Sequence, residues 1–312
     1  MENTALKTKK RKLREPKSQI EMFIMSIPTI VLLFIFCYIP MFGLILAFKD
    51  YKINLGILGS PWIGFENFKF FFQSSDFVRI VRNTLGYNFV FILLGNIIHV
   101  IFAIFLSIIT SRRSLKVYQT TMFLPYFLSW VAVAYMALTF LDFNNGMFNN
   151  ILKALGMTPV SWYSEPSKWP PIIVCFHLWK GMGYQTLVYY AAILNIDSEL
   201  YDAAKIDGCS TLQTIKNIIL PMLSHTIIIF VILAIGNIFR GDFGLFYSLP
   251  QGNQVLNPTT DIIDTYIYRT LIQTGDVGIS SAVGMMQSLV GCVLILATNA
   301  IVNKIDKDSA LL

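Results

Sequence analysis

Charge is what this sequence has least of. Of 312 residues, 13% are charged and 55% hydrophobic, where soluble domains carry about 25% charged residues. The deficit is uneven: charges gather in short stretches between long apolar runs, the pattern of a membrane protein. The chain has 4 cysteines and 3 histidines, with no CxxC or Cys/His spacing of the zinc-binding kind. Cys37, Cys175, Cys209 and Cys292 read as isolated small hydrophobes. No GxxxxGK[ST] loop occurs, so no Walker sequence cradles a nucleotide phosphate. The cores of the apolar runs hold no Asp or Glu, which speaks against a proton- or sodium-coupled carrier. No paired carboxylates or metal cluster mark an integral-membrane enzyme. If ATP drives transport here, a separate subunit must hydrolyse it.

What is present in quantity is apolar length. A bilayer core about 30 Å thick needs roughly 20 apolar residues per helix. Six segments meet that test: 22–48, 85–110, 117–141, 171–194, 218–239 and 280–303. The expected fold is an all-α membrane protein of about six transmembrane helices. Pro28, Pro40, Pro125 and Pro221 fall inside these spans, where kinks are expected. Lys180 is the one charged residue within a span. His99, His177 and His225 lie in or near spans and read either as a proton relay or as hydrogen-bonded packing residues.

The N-terminus is basic, with Lys7, Lys9, Lys10, Arg11, Lys12, Arg14 and Lys17. The positive-inside rule places it in the cytoplasm, and the first apolar run is too long for a cleaved signal. Counting from there puts 14 Lys/Arg inside and nine outside, with both termini cytoplasmic. Residues 1–21 and 304–312 are expected to be tails flanking a transmembrane domain over 22–303. Three outside segments are substantial: 49–84, dense in Trp62, Phe65, Phe68 and Phe70–Phe72 and suited to the interface, and the turn-rich 142–170 and 240–279.

One inside loop, 197–221, has readable local physics. Asp197 or Ser198 can cap a helix. Glu199 and Asp202 sit in its first turn, where the helix dipole favours negative charge. Leu200, Ala203 and Ala204 share a face, and Gly208 is placed to end the helix in the left-handed region. Ser210 or Thr211 can cap the helix that runs on to Pro221. By physics alone this is either an interfacial helix joining two spans or a docking element with small residues that let a partner approach.

The pattern Asp202-Ala-Ala-Lys-Ile-Asp-Gly208, followed by Leu220-Pro221, resembles the Glu-Ala-Ala…Gly…Leu-Pro signature of binding-protein-dependent ABC importer permeases. Asp202 stands where that family usually has Glu, and Cys209 where it usually has Ala. Further segments, Tyr38-Ile-Pro40 to Tyr51, Ser60 to Phe68, Asp242 to Tyr247 and Asp264 to Arg269, are similar to the LplB-like carbohydrate-uptake type. The resemblance implies a type I ABC importer permease fold and a non-enzymatic transport subunit of a bacterial cytoplasmic membrane. It implies that the loop at about 197–217 is a coupling helix, with Glu199, Asp202, Ala203, Ala204, Asp207 and Gly208 meeting the ATPase. Its implied partners are a second related permease, an ABC ATPase dimer that uses the ATP and magnesium, and an extracytoplasmic sugar-binding lipoprotein. No cofactor is expected on this chain and no nucleic acid among its partners. A same-fold permease for a non-sugar solute is the alternative.

A sugar path needs aromatic faces for pyranose rings and polar groups for hydroxyls. The fourth run supplies Trp179, Lys180, Tyr184, Gln185, Tyr189 and Tyr190, and the third supplies Tyr126, Ser129, Trp130 and Tyr135. Lys180 reads as pore-lining or as a side chain snorkelling to an interface. Gly181 and Gly183 are expected to allow close helix packing. Arg240, Asp242, Asp261, Asp264, Arg269 and Asp276 fall outside, as a binding-protein contact or a solvated surface.

Overall fold

The computed structural model describes residues 16–305. Most of the basic N-terminal run and the end of the C-terminal tail lie outside the described residues, while the expected limits at 21/22 and 303/304 fall within helices over 16–33 and 277–305. Among the described residues the fold is helical, and the only β contact is an isolated bridge between Lys49 and Trp62.

α1 (Pro16–Leu33) continues through a π turn and a 3₁₀ stretch to Phe48. A short outer helix, α2 (Glu66–Gln73), leads into α3 (Phe77–Ile108). α4 (Arg112–Phe123) and α5 (Trp130–Leu141) follow, then α6 (Met147–Ala154) and α7 (Trp169–Leu194). α8 (Ser198–Ile206) precedes α9 (Thr211–Gly236), and α10 (Ile263–Arg269) precedes α11 (Val277–Ile305).

Four of the expected spans are single helices long and apolar enough to cross a membrane: α1 with its extension, α3, α9 and α11. The third expected span is instead a broken pair, α4 and α5, bent by 98°. Pro125 ends α4 in a 3₁₀ turn, Leu128 is extended, and the Ser129 hydroxyl caps α5 by accepting from the Ala132 N–H. α5 alone, at about 1.5 Å per residue, is too short to cross. The fourth, α7, has 26 residues but is less apolar than the other four, because it carries His177, Lys180 and Gln185. It packs along α3, where His177 stacks on Phe91.

Two mid-span prolines share one device. Ile39 and Leu220, each just before a proline, donate to the carbonyl five residues back, Phe34 and Ile215. Proline cannot donate and its ring crowds the carbonyl four residues back. A π turn widens the helix at that point and keeps the neighbouring groups bonded.

The outer segment 49–73 is tied down rather than loose. The Lys49 ammonium, 2% exposed, donates to the Ile57 and Leu58 carbonyls at 2.8 and 2.9 Å. The Asn67 amide donates to Ala47 and Lys49 carbonyls at 2.9 and 3.1 Å. One buried cluster gathers Tyr87, Trp169, Phe246 and Leu249 toward one end of the bundle. Another gathers Val100, Tyr189, Ile193 and Leu223 toward the other. A third packs Phe71 and Ile80 against Tyr266 and Val283.

Candidate functional site

The 197–221 loop folds as a hairpin of two helices. The Asp197 carboxylate accepts from the Glu199 N–H at 3.0 Å and starts α8. Gly208, at φ +69°, stops it. The N–H groups of Asp207, Gly208 and Cys209 bond the carbonyls of Ala203, Lys205 and Ala204, which satisfies the last turn in the manner of a Schellman motif. Ser210 then makes a capping box with Gln213: the hydroxyl accepts from the Gln213 N–H, and the Gln213 side chain accepts from the Ser210 N–H at 2.7 Å.

The named residues divide by face. Glu199, Asp202, Ala203, Asp207 and Gly208 are exposed, and Asp202 pairs with Lys205 at 3.0 Å on open surface. Ala204 is turned inward and buried. Next to it, Tyr201 packs on the cluster of Val100, Tyr189 and Leu223, so α8 is joined to the parts of α3, α7 and α9 that form that cluster. Sequence reasoning missed Ile206 and Leu212, which flank the turn at 85% and 74% exposed.

Of the path candidates, the structure gathers four aromatic and cationic groups. The Tyr126 and Tyr184 rings stack at 5.3 Å. The Lys180 ammonium donates to the Tyr126 carbonyl at 2.9 Å and lies 5.2 Å from the Trp130 ring centre and 5.5 Å from that of Tyr126. Cation–π attraction of this kind holds a charge without neutralising it. The Trp130 indole N–H donates to the Asp242 carboxylate at 2.6 Å, and Gly244 lies so close to Trp130 that a Cβ would stand 2.3 Å from it. Asp242, expected on an outer surface, is thus part of this group.

The remaining candidates go elsewhere. Tyr189 is buried, and its hydroxyl donates to the Asn96 side-chain oxygen at 2.5 Å. Trp179 packs edge-on to Phe176 against the cluster of Tyr87, Trp169 and Phe246, and Tyr190 packs at that of Val100, Tyr189 and Leu223. Gln185 faces a cavity of about 210 Å³ between α3, α7 and α9, shared with Asn88, Asn96, His177, Asn237 and Arg240. His177 stacks on Phe91 at 3.6 Å. Gly183 is in backbone contact with α4, as expected, but Gly181 faces open space.

The chain beyond α9 is unwound and held from three sides. The Asn88 amide of α3 donates to the Ile238 and Arg240 carbonyls at 2.9 and 3.0 Å. The Gln287 amide of α11 donates to the Phe239 carbonyl at 2.6 Å and to Asp264 at 3.1 Å. Asp264, from α10, accepts the Gly241 N–H at 2.7 Å. These four backbone groups have lost helical partners and recover them from side chains. Burial pushes the Asp264 carboxyl above the usual carboxylate range, against the Gly241 N–H, the Gln287 amide and the Arg240 charge. Nearby, Asp261 is buried and meets Arg269 at 2.8 Å and Arg79 at 3.5 Å, which fixes α10 to α3.

The profile of a family described as "Binding-protein-dependent transport system inner membrane component" matches residues 5–307. The chain is 34% identical over 287 residues to Protein LplB of Bacillus subtilis (strain 168), covering 92% of this chain and 90% of that protein. It is 29% identical over 300 residues to the polygalacturonan/rhamnogalacturonan transport system permease protein YteP of the same organism, covering 96% and 93%. Among solved structures, it matches a chain of a bacterial ABC transporter involved in the import of the acidic polysaccharide alginate. The TM-score is 0.84 at 33% identity, over 93% of this chain and 97% of that one. A second structure, of that kind of transporter in complex with an alginate pentasaccharide-bound periplasmic protein, matches equally well.

Proposed function

The chain belongs to the binding-protein-dependent transport system inner membrane components, and on that premise we propose that it is a pore subunit importing an oligosaccharide into a bacterial cell. The observation that carries the reading is the whole-length likeness to a carbohydrate importer's permease, at a TM-score of 0.84. It is a transport subunit of the cytoplasmic membrane, with both termini on the cytoplasmic side. A second permease completes the pore, an ABC ATPase dimer consumes ATP and magnesium, and an extracytoplasmic binding protein delivers the sugar.

In this reading α8 is the coupling helix, offering Glu199, Asp202, Ala203, Asp207 and Gly208 to the ATPase, with Ile206 and Leu212 as apolar flanks. Ala204 is the hinge side, packed inward. Closure of the ATPase dimer displaces α8. Tyr201 and the cluster around Tyr189 and Leu223 pass that displacement to α7 and α9, because packed interiors move as units rather than deform smoothly. The sugar passes the middle of α7, where Tyr184 and Trp130 offer ring surface and Gln185 and Asn237 offer hydrogen-bonding groups.

The test is the full complex in lipid vesicles. Sugar-loaded binding protein is expected to raise ATP hydrolysis several-fold over the unloaded complex. Hydrolysis indifferent to the binding protein and to every carbohydrate contradicts the reading.

A further inference from the structure

Two cations, the half-buried Lys180 and the exposed Arg240, have no carboxylate within ion-pair distance among the described residues. Lys180 spends one N–H on the Tyr126 carbonyl and rests on the Trp130 and Tyr126 rings. Arg240 is exposed, and among the residues lining the 210 Å³ cavity it is the only charged one. Among the described residues neither is in an ion pair. The nearest carboxylates are already engaged. Asp242 takes the Trp130 indole and the Leu245 N–H. Asp264 takes the Gly241 N–H and the Gln287 amide, and acts on Arg240 only through space.

The placement of Arg240 is built rather than incidental. Asn88, Gln287 and Asp264 bind the backbone on both sides of it, from three elements separated widely in sequence. That clamp prevents the segment from coiling on as helix and turns Arg240 and Asp242 to separate positions two residues apart. Asp242 goes to the aromatic group at Lys180, and Arg240 goes to the cavity with Gln185 and Asn237. A charge near a membrane interior without a partner is costly unless it faces a cavity and a ligand of opposite sign. A guanidinium is suited to a carboxylate, which it can meet with two parallel hydrogen bonds.

Resting on the transport reading above, we propose that the cargo carries carboxylates: an oligosaccharide of uronic acid units, whose carboxylates are read by Arg240 and Lys180 while its rings lie on Tyr184 and Trp130. Asn88, Gln287 and Asp264 are positioning residues for Arg240.

The experiment uses the assembled complex in vesicles and two probes with one backbone, an oligogalacturonate and its fully methyl-esterified, uncharged form. ATP hydrolysis and uptake are measured for wild type, Arg240→Gln, Arg240→Lys, Lys180→Met and Lys180→Arg, with complex assembly followed by gel filtration. The expected result is a preference for the acidic probe of about tenfold, which charge-assisted bonds readily supply. Arg240→Gln and Lys180→Met each shrink that preference through KM, and Arg240→Lys and Lys180→Arg keep part of it. If a glutamine or methionine variant fails to assemble, the partial loss in its charged counterpart still decides the matter. Uptake that is equal for the two probes, or greater for the neutral one, overturns this proposal and leaves the transport reading standing. Hydrolysis stimulated by no carbohydrate overturns both.

Discussion

Gly181 and Gly183 stand two residues apart on α7 and meet opposite surroundings. A Cβ at Gly183 would lie 2.4 Å from the Met122 carbonyl oxygen and 2.5 Å from the Phe123 Cα, both backbone atoms that cannot swing away. A Cβ at Gly181 would meet nothing within 4 Å. Gly183→Ala is expected to destabilise the protein by about 1–3 kcal/mol, the range for overpacking, and Gly181→Ala to stabilise it by up to about 1 kcal/mol, the helix preference of Ala over Gly where nothing obstructs the added methyl. Thermal unfolding in detergent measures both. Asp264 gives a pH signature. Burial raises its folded pKa, so the native state holds the proton more tightly than the unfolded chain. That contribution to stability is present below the ordinary carboxylate range and is lost as pH rises through the raised folded value. Asp264→Asn keeps an acceptor for the Gly241 N–H and cannot titrate. Its unfolding temperature is expected to lose the decline that wild type shows across that window.

At the scale of elements, the α8 hairpin was legible because its signals are local. Asp197, Gly208 and Ser210 each act within three or four residues of themselves, as caps and as a left-handed stop. Gly208→Pro is the direct test of this element's role, since proline cannot adopt a positive φ. Membrane insertion is expected to persist while sugar-stimulated ATP hydrolysis falls at least about tenfold, the scale on which losing one positioned element acts. Stimulation at the wild-type level would remove α8 as the coupling element. What sequence reading missed is non-local. Asn88 bonds Arg240 across 152 residues and Gln287 bonds Phe239 across 48, so no window of sequence shows the clamp. Tyr189 looked like its neighbours Tyr184 and Tyr190, but the helical turn points it at Asn96. The break between α4 and α5 was half visible: Pro125 and Ser129 were seen as single residues, and their joint effect, a 98° bend inside one apolar run, was not.

Over the whole molecule, composition alone separates this chain from soluble proteins, and apolar run length finds the single-helix spans. It also mistakes a bent pair for one straight helix and rates α7 by length rather than by its polar load. Those two departures fall where the path is proposed. α7 carries Lys180 and Gln185, and the break carries Tyr126 and Trp130, so the segments least like ordinary spans are the ones the proposed path runs along. The π and 3₁₀ extension of α1 stays largely uncovered, with Phe36 and Phe42 at 70% and 78% exposed, as suits a segment facing lipid or the proposed second permease. In the proposed cycle, ATP consumed by a separate subunit moves a carbohydrate through this chain. That cycle is tested by uptake of a labelled oligosaccharide into vesicles holding the complex, with ATP enclosed or with a proton gradient imposed instead. Accumulation is expected with ATP and binding protein together, and none with the gradient alone. Accumulation that follows the gradient and persists without ATP would contradict it.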